Sequence, residues 1–307
     1  MDALSQVIEL ARIRGSLDLR CQMSGHFELD HQPLAPGQAP FHLVLSGRAQ
    51  LMLPRGDAIE LVPGDFILLP RGAWHVLRGQ GVGPSRAVHM DHSGPLLRRS
   101  NTDDRPDMDI LCGRFIYSHG SADLVMSALP DVLHVSLAQE GSLDALDSIV
   151  SLLRSEVEQL RSGALAIVTS LSHVLFIMAL RIHAQRDGMS PSLLVLLGDS
   201  RLSRSVLAMI KEPGKAWTVE ALARQANMSR ATLARHFTDK AAMSPMDLVT
   251  DIRMQLACSL LETENSPLPD IAERVGYQSE SAFAKVFRKR TGMTPRAFRR
   301  LRRDGAQ

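Results

Sequence analysis

LPDIAERVGYQSESAFAKVF, residues 268–287, reads as a short helix with a small-residue face, a tight turn around Gly276, a serine placed to cap, and a second helix. Phe283 and Phe287, four apart, pin one face of that second helix to a core and leave Glu280, Ala284 and Lys285 on the other. The same design stands earlier in VEALARQANMSRATLARHF (219–237), where Ser229 takes the place of Ser279 and Leu233 and Phe237 take the places of the phenylalanines. Its outward residues are Arg230, Thr232, Ala234 and Arg235. The pattern predicts two helix-turn-helix units joined by PMDLVTDIRMQLACSLLE (245–262), which opens on a proline at a favourable first-turn position. At 1.5 Å per residue that linker makes a rod about 27 Å long. Such a rod can hold two recognition helices about 34 Å apart, one turn of B-DNA, so that both enter successive major grooves on one side of the duplex.

The charge distribution supports a polyanionic partner. The whole chain carries only +2, but residues 1–199 carry a net −6 and residues 200–307 a net +8. A bias confined to one end of the chain favours a separate nucleic-acid-binding domain over a uniformly solvated surface. Within it, the N–H groups that Ser229 and Ser279 leave uncapped at each recognition-helix start favour phosphate, and Arg288, Lys289 and Arg290 add positive charge at the end of the second. Arg235 and Lys285 occupy equivalent places after the two caps, where a long side chain reaches either a guanine edge or a phosphate.

Several of these residues also form a pattern. Ala272, Val275-Gly276-Tyr277, Ser281, Phe283, Phe287-Arg288, Gly292, Thr294-Pro295 and Phe298-Arg299 resemble the defining motif of the AraC/XylS family of bacterial transcription regulators. The linker segment LVTDIR, followed by Ala257 and Leu260-Leu261, is similar as well. The resemblance implies a sequence-specific regulator bound to double-stranded promoter DNA and working with RNA polymerase, and therefore not an enzyme.

The rest of the chain has a different texture. Between residues 16 and 118, short apolar runs such as FHLVLSG (41–47), FILLPRG (66–72) and DILCGRFIYS (109–118) alternate with Gly and Pro, as in a small antiparallel barrel. Residues 90–109 are polar and Pro-interrupted and read as a long loop; residues 143–197 become helical and suit either a homodimer interface or a cover for the barrel. The expected fold is therefore α+β: a sensor domain over 1–118, a helical linker over 119–198 and an all-α DNA-binding domain over 199–307. The start MDALSQVIELARIRG has no signal-peptide pattern, and ALAIVTSLSHVLFIMAL (164–180) is short for a span, so a cytoplasmic protein with no membrane partner is expected.

GDFILLPRGAWH (64–75) resembles the second cupin motif, with His75 at its end. The first cupin motif is incomplete: His42 stands at its first ligand position, Val44 replaces the second histidine, and no Glu follows near Arg48 or Ala49. A cupin enzyme fused to a DNA anchor is disfavoured on that count, and no cofactor is expected unless folding unites Cys21, His42, His75 and Cys112 as a soft site for Zn²⁺.

MDALSQVIELARIRGSLDLRC and LCGRF, with the cupin-like runs, further resemble a subgroup of these regulators that responds to reactive chlorine. That resemblance implies an oxidant-sensing pair at Cys21 and Cys112. On chemistry alone both read as inert buried thiols, as Cys258 in the linker helix does, and only the resemblance favours the sensing pair. Arg20, beside Cys21, would favour a thiolate, although neighbouring strand residues point to opposite faces. A barrel that binds a small organic effector, lined by Phe41 and Trp74, is the alternative signal.

Overall fold

The computed structural model describes residues 2–11, 13–81, 87–93, 96–102, 104–117, 121–137, 148–149, 151–153, 155–156, 159, 161–185 and 191–304. The chain forms two compact units, and their make-up differs from a simple division at residues 118 and 198. One unit gathers Met1–Ile13, Tyr117–Ala128 and Asp187–Gln307; the other gathers Arg14–Ile116 and Leu129–Arg186. Helices α1 (Ala3–Ala11) and α2 (Ser121–Ser127) therefore belong with the C-terminal helices, because they bury Val7, Ile8, Leu124 and Val125 there and not against strands.

The second unit is built from two sheets. One has seven strands in the order β11-β6-β3-β10-β1-β9-β8, comprising β1 (Arg14–Met23), β3 (Gln38–Ser46), β6 (Asp65–Leu68), β8 (His89–Asp91), β9 (Leu97–Ser100), β10 (Met108–Ile116) and β11 (Leu133–Ser136). The other has the order β2-β7-β4-β5, from β2 (His26–His31), β4 (Ala49–Met52), β5 (Ala58–Leu61) and β7 (His75–Gln80). Residues 90–109, expected to be a loop, thus contribute β9, which pairs in parallel with β1, most of the edge strand β8 beyond it, and the start of β10. Short strands without a strong apolar period give little sequence signal, and here pairing to β1 decides.

Alternation along each strand sorts side chains into two cores. Between the sheets lie Cys21, Met23, Phe27, Leu29, Val44, Leu51, Leu61, Ile67, Leu77, Ile110 and Cys112. On the opposite face of the large sheet, Phe41 stacks with Phe66 and packs on Phe115, and Phe115 packs on Phe176 of helix α3 (Ala164–Gln185). α3 is long and apolar enough, by length and composition, to cross a membrane, but it buries only one stripe on β1 and leaves Leu165, Ile167 and Val174 exposed. It is half covered, not the buried helix its composition suggests. Most of the preceding predicted helix, residues 143–160, lies outside the described residues.

β1 and β10 are the longest antiparallel pair, running from Arg14↔Ile116 to Met23↔Met108 with an irregularity between Leu17 and Leu19. Gly113 is required here, because a Cβ on it would lie 2.2 Å from the Ser16 carbonyl oxygen. On the face away from Cys21, Arg20 makes a two-pronged ion pair with nearly buried Asp109, Nε–Oδ1 3.0 Å and Nη2–Oδ2 2.8 Å.

In the other unit, α4 (Leu193–Gly198) and α5 (Leu202–Lys211) precede α6 (Val219–Ala226) and α7 (Arg230–Ala241), the linker helix α8 (Pro245–Thr263), α9 (Leu268–Arg274), α10 (Glu280–Thr291) and α11 (Pro295–Asp304). The linker helix is 19 residues long, about 28 Å. Phe283, Phe287 and Phe298 form an edge-on aromatic chain against Ala257, Leu261, Ile271, Ala272 and Val275. Arg253 of α8 donates from Nε to the Pro213 carbonyl and from Nη2 to the Lys215 carbonyl, each at 2.8 Å, and lies over the Tyr277 ring. Gly276, at φ +81°, sits against that guanidinium, which explains the turn it was expected to make.

Arg20→Ala leaves the Asp109 carboxylate buried and unpaired, so it should lower unfolding free energy by about 3–5 kcal/mol. Arg20→Lys should recover only part of that, because an ammonium cannot reproduce the two-pronged contact. Denaturant titration of both variants checks the ordering.

Candidate functional site

Two places on the chain carry chemistry. The first is the space between the sheets. Cys21 on β1 and Cys112 on β10 are diagonal neighbours on one face, since Cys21 pairs with Ile110, and their sulfurs lie 4.0 Å apart. Both are buried and unbonded. Arg20 does not activate Cys21, because its guanidinium is bound to Asp109 on the other face.

His42, on the neighbouring strand β3, is opposite Cys112 in register and puts Nδ1 at 3.1 Å from its sulfur. His42 Nε2 is 2.7 Å from His75 Nε2, and His75 Nδ1 is 2.9 Å from the Ala73 carbonyl oxygen. A carbonyl only accepts, so His75 carries its proton on Nδ1 and presents a lone pair at Nε2. His42 then donates from Nε2, which leaves its Nδ1 lone pair facing the Cys112 thiol. Cys21, His42, His75 and Cys112, which the sequence joined only conditionally, are thus neighbours.

A fifth member was not foreseen. His31, at the end of β2, pairs in register with His75, stacks on its ring at 4.6 Å, and approaches His42 edge-on at 5.0 Å. Its Nδ1 donates to the Leu29 carbonyl at 3.0 Å, so Nε2 is the open atom. No local motif marks His31; only the pairing of β2 with β7 brings it in.

The environment keeps these groups neutral. Burial holds His42 well below the ordinary imidazole range, with the positive forms of His31 and His75 acting in the same direction. Burial brings His31 down to about 4, and lowers His75 against the opposing pull of the Ala73 carbonyl and Asp30. The contact with Cys21, followed by burial, pushes the Cys112 thiol well up. His31, His42, His75 and Cys112 are therefore soft donors held toward their neutral forms, with the Cys21 sulfur 4.0 Å from that of Cys112.

The second place is the face of the two helix-turn-helix units. Ser229 Oγ accepts from the Thr232 N–H and Ser279 Oγ from the Ala282 N–H, each at 3.2 Å, so both expected caps form. Leu233, Phe237, Phe283 and Phe287 are buried, while Arg230, Arg235, Lys285, Arg288 and Lys289 are exposed. Arg235, Lys285, Arg288 and Lys289 have no ion-pair partner among the described residues. Arg230 pairs with Glu220 at 2.7 Å and Glu280 with Arg296 at 3.5 Å, exposed contacts weak enough to exchange for phosphate. Thr232 also bonds the Ser229 hydroxyl. Arg290 is different: Asp247 and Asp251 of α8 hold it at 2.9 and 3.3 Å, so it clamps α10 to the linker helix and is not surplus charge.

Each neutralised phosphate contributes about −0.9 to the log–log salt slope of DNA affinity, so Arg288→Ala should flatten that slope by about one unit on any sequence. Arg235→Ala, if the side chain reads a base, should cost about 1–3 kcal/mol at one position of a cognate site and little on scrambled DNA; titrations across salt concentrations separate the two. A third outcome concerns acid. His31 takes its proton in the unfolded chain near 6.5 but in the folded chain at about 4, so the unfolded state binds more protons between those values. The stability it contributes is complete above about 6.5 and is lost as pH falls toward about 4. Chelator-treated protein should melt progressively lower over that window, and His31→Gln should shrink the drop.

Known proteins agree with this architecture. A cupin family model matches residues 2–185 and a helix-turn-helix domain model matches residues 222–301. An uncharacterized HTH-type transcriptional regulator of Haemophilus influenzae is 31% identical over 98% of this chain and 99% of its own. The RCS-specific HTH-type transcriptional activator RclR of Escherichia coli is 30% identical over 97% of each chain, and the HTH-type transcriptional regulator MtrA of Neisseria gonorrhoeae is 31% identical over 98% of each. These relatives are regulators and not enzymes, and with both domain matches in place the chain belongs to the AraC-type family of DNA-binding transcription regulators that carry an N-terminal cupin domain.

Proposed function

We propose that this regulator is a cytoplasmic transcriptional activator switched by oxidation of Cys21 and Cys112 to a disulfide. The observation that carries the reading is the 4.0 Å separation of two buried sulfurs on paired strands. With hypochlorous acid as oxidant, one thiol takes chlorine to give a sulfenyl chloride and water; the second sulfur then displaces chloride and releases its proton. Two thiols lose two electrons in all, and the chlorine of the acid ends as chloride. Joining the sulfurs means closing them to about 2.05 Å, which must shift the β1 and β10 backbones or turn both side chains inside a packed core. β1 follows α1 in the chain and β10 leads into α2, and both helices belong to the DNA-binding unit, so such a shift has a covalent route to it. The relative RclR, named as an RCS-specific activator, supports the same direction. The regulator would act on promoter DNA as a homodimer and recruit RNA polymerase.

The small-effector reading has less to stand on. Phe41, one of its expected lining residues, points away from the space between the sheets into the α3 core, and the Trp74 indole donates to Asp30.

Peptide mapping after stoichiometric hypochlorous acid, together with in-vitro transcription from a promoter beside its gene, tests the proposal. A Cys21-to-Cys112 disulfide should appear, transcription should rise with it, and Cys21→Ser and Cys112→Ser should not respond while Cys258→Ser does. An oxidant response that persists in both serine variants would overturn it.

A further inference from the structure

The histidine–glutamate donor set of a cupin metal site does not fit this chain, since Val44 stands at its second position and no glutamate follows. The donors that the fold brings together are different. One ligand atom from each of His31, His42 and Cys112 lies within 4.8 Å of the other two. We propose that the reduced protein binds one zinc-type divalent cation through His31 Nε2, His42 Nδ1 and Cys112 Sγ.

Spacing is the first support. Around a tetrahedral Zn²⁺, with bonds of about 2.0–2.1 Å to nitrogen and 2.3 Å to sulfur, neighbouring ligand atoms are about 3.3–3.8 Å apart. His42 Nδ1 and Cys112 Sγ are already 3.1 Å apart, and all three ligand atoms lie within 4.8 Å of one another, so the His31 ring has at most about 1.5 Å to close around an ion. Cys21 is not one of the three, and its sulfur lies 4.0 Å from that of Cys112.

Orientation is the second, and it is the more telling. A histidine that ligates a metal donates its other N–H to an acceptor that fixes the tautomer. Both proposed ligands do so: His31 donates Nδ1–H to the Leu29 carbonyl, and His42 donates Nε2–H to His75 Nε2, which is itself fixed by the Ala73 carbonyl. The lone pairs that remain, His31 Nε2 and His42 Nδ1, are the ones the cation needs. In this arrangement His75, the residue that the cupin motif would make a ligand, is a positioning residue behind His42. Imidazole and thiolate together suit zinc over magnesium or calcium. Binding replaces the Cys112 S–H bond with a metal–sulfur bond and releases the proton to solvent.

The inference concerns the reduced chain and stands whether or not oxidation is the signal. Full-length protein, reduced and stripped with chelator, is titrated anaerobically with Co²⁺ as a spectroscopic stand-in. One equivalent should produce a sulfur-to-cobalt charge-transfer band, and added Zn²⁺ should bleach it. Cys112→Ser should abolish the band and Cys258→Ser should keep it. His31→Gln, at a half-buried position where folding is readily preserved and checked by circular dichroism, should weaken affinity by about tenfold or more. No saturable uptake, a band that survives Cys112→Ser, or unchanged affinity in folded His31→Gln would each overturn the site. If Co²⁺ binds as described while Cys21→Ser retains full oxidant-driven transcription, only the oxidation reading falls.

Discussion

The antiparallel pairing of β1 with β10 is the constraint from which the chemistry of this protein follows. A strand sends alternate residues to opposite faces, so one register fixes two sets of neighbours together. With Cys21 opposite Ile110, the inward set is Cys21, Met23, Ile110 and Cys112, and the other face receives Arg20 and Asp109. A slip of β1 by one residue would turn Arg20 into the core and Cys21 out of it while β10, held by β3, kept its own faces, so both the ion pair and the thiol contact would be lost. The irregularity at Leu17–Leu19 and the bare backbone of Gly113 let the strands close to contact at the end nearer Arg14, which holds the register there.

The cost of that arrangement is borne in the core. Three imidazoles and two thiols occupy volume that leucine or valine would fill with no desolvation penalty; burial favours the neutral forms of the imidazoles, and the contact with Cys21 together with burial does the same for Cys112. Such a cluster is stable only if each proton has an acceptor, and the relay from Cys112 through His42 and His75 to the Ala73 carbonyl provides it. It also makes the Cys112 sulfur a shared resource. A sulfur held by a cation cannot enter a disulfide, and one held in a disulfide cannot ligate, so occupancy and redox state oppose each other at one atom.

How much of this was legible in sequence depends on how local each feature is. The helix-turn-helix units were readable because Ser229, Ser279 and the residue pairs Leu233/Phe237 and Phe283/Phe287 act within a turn or two of chain, and those features are present as expected. His42 and His75 were readable because a motif places them. His31 was not, since its role depends on which strand lies beside β2. Nor were β9, which forms because β1 offers it a partner, and β8, which pairs with β9 at the sheet's edge, or the clamp role of Arg290, whose partners Asp247 and Asp251 lie on another helix. Arg20 illustrates the limit from the other side: adjacency in sequence suggested an electrostatic influence on Cys21 that strand geometry forbids.

The interleaving of the two units has a consequence for how the protein comes into being. α1 precedes the whole sheet unit in the chain, yet it packs on α4 and α5, which lie beyond residue 190. The sheet unit, bounded by Arg14 and Arg186, has all its strands before most of the DNA-binding unit has been translated. Domains generally fold as units during synthesis. The apolar face of α1, with Val7, Ile8 and Ala11, must therefore wait for its partners until the sheet unit has been translated, and long-range closures of this kind slow folding. The DNA-binding unit is completed only after the sheet unit, whose residues lie between its parts in the sequence.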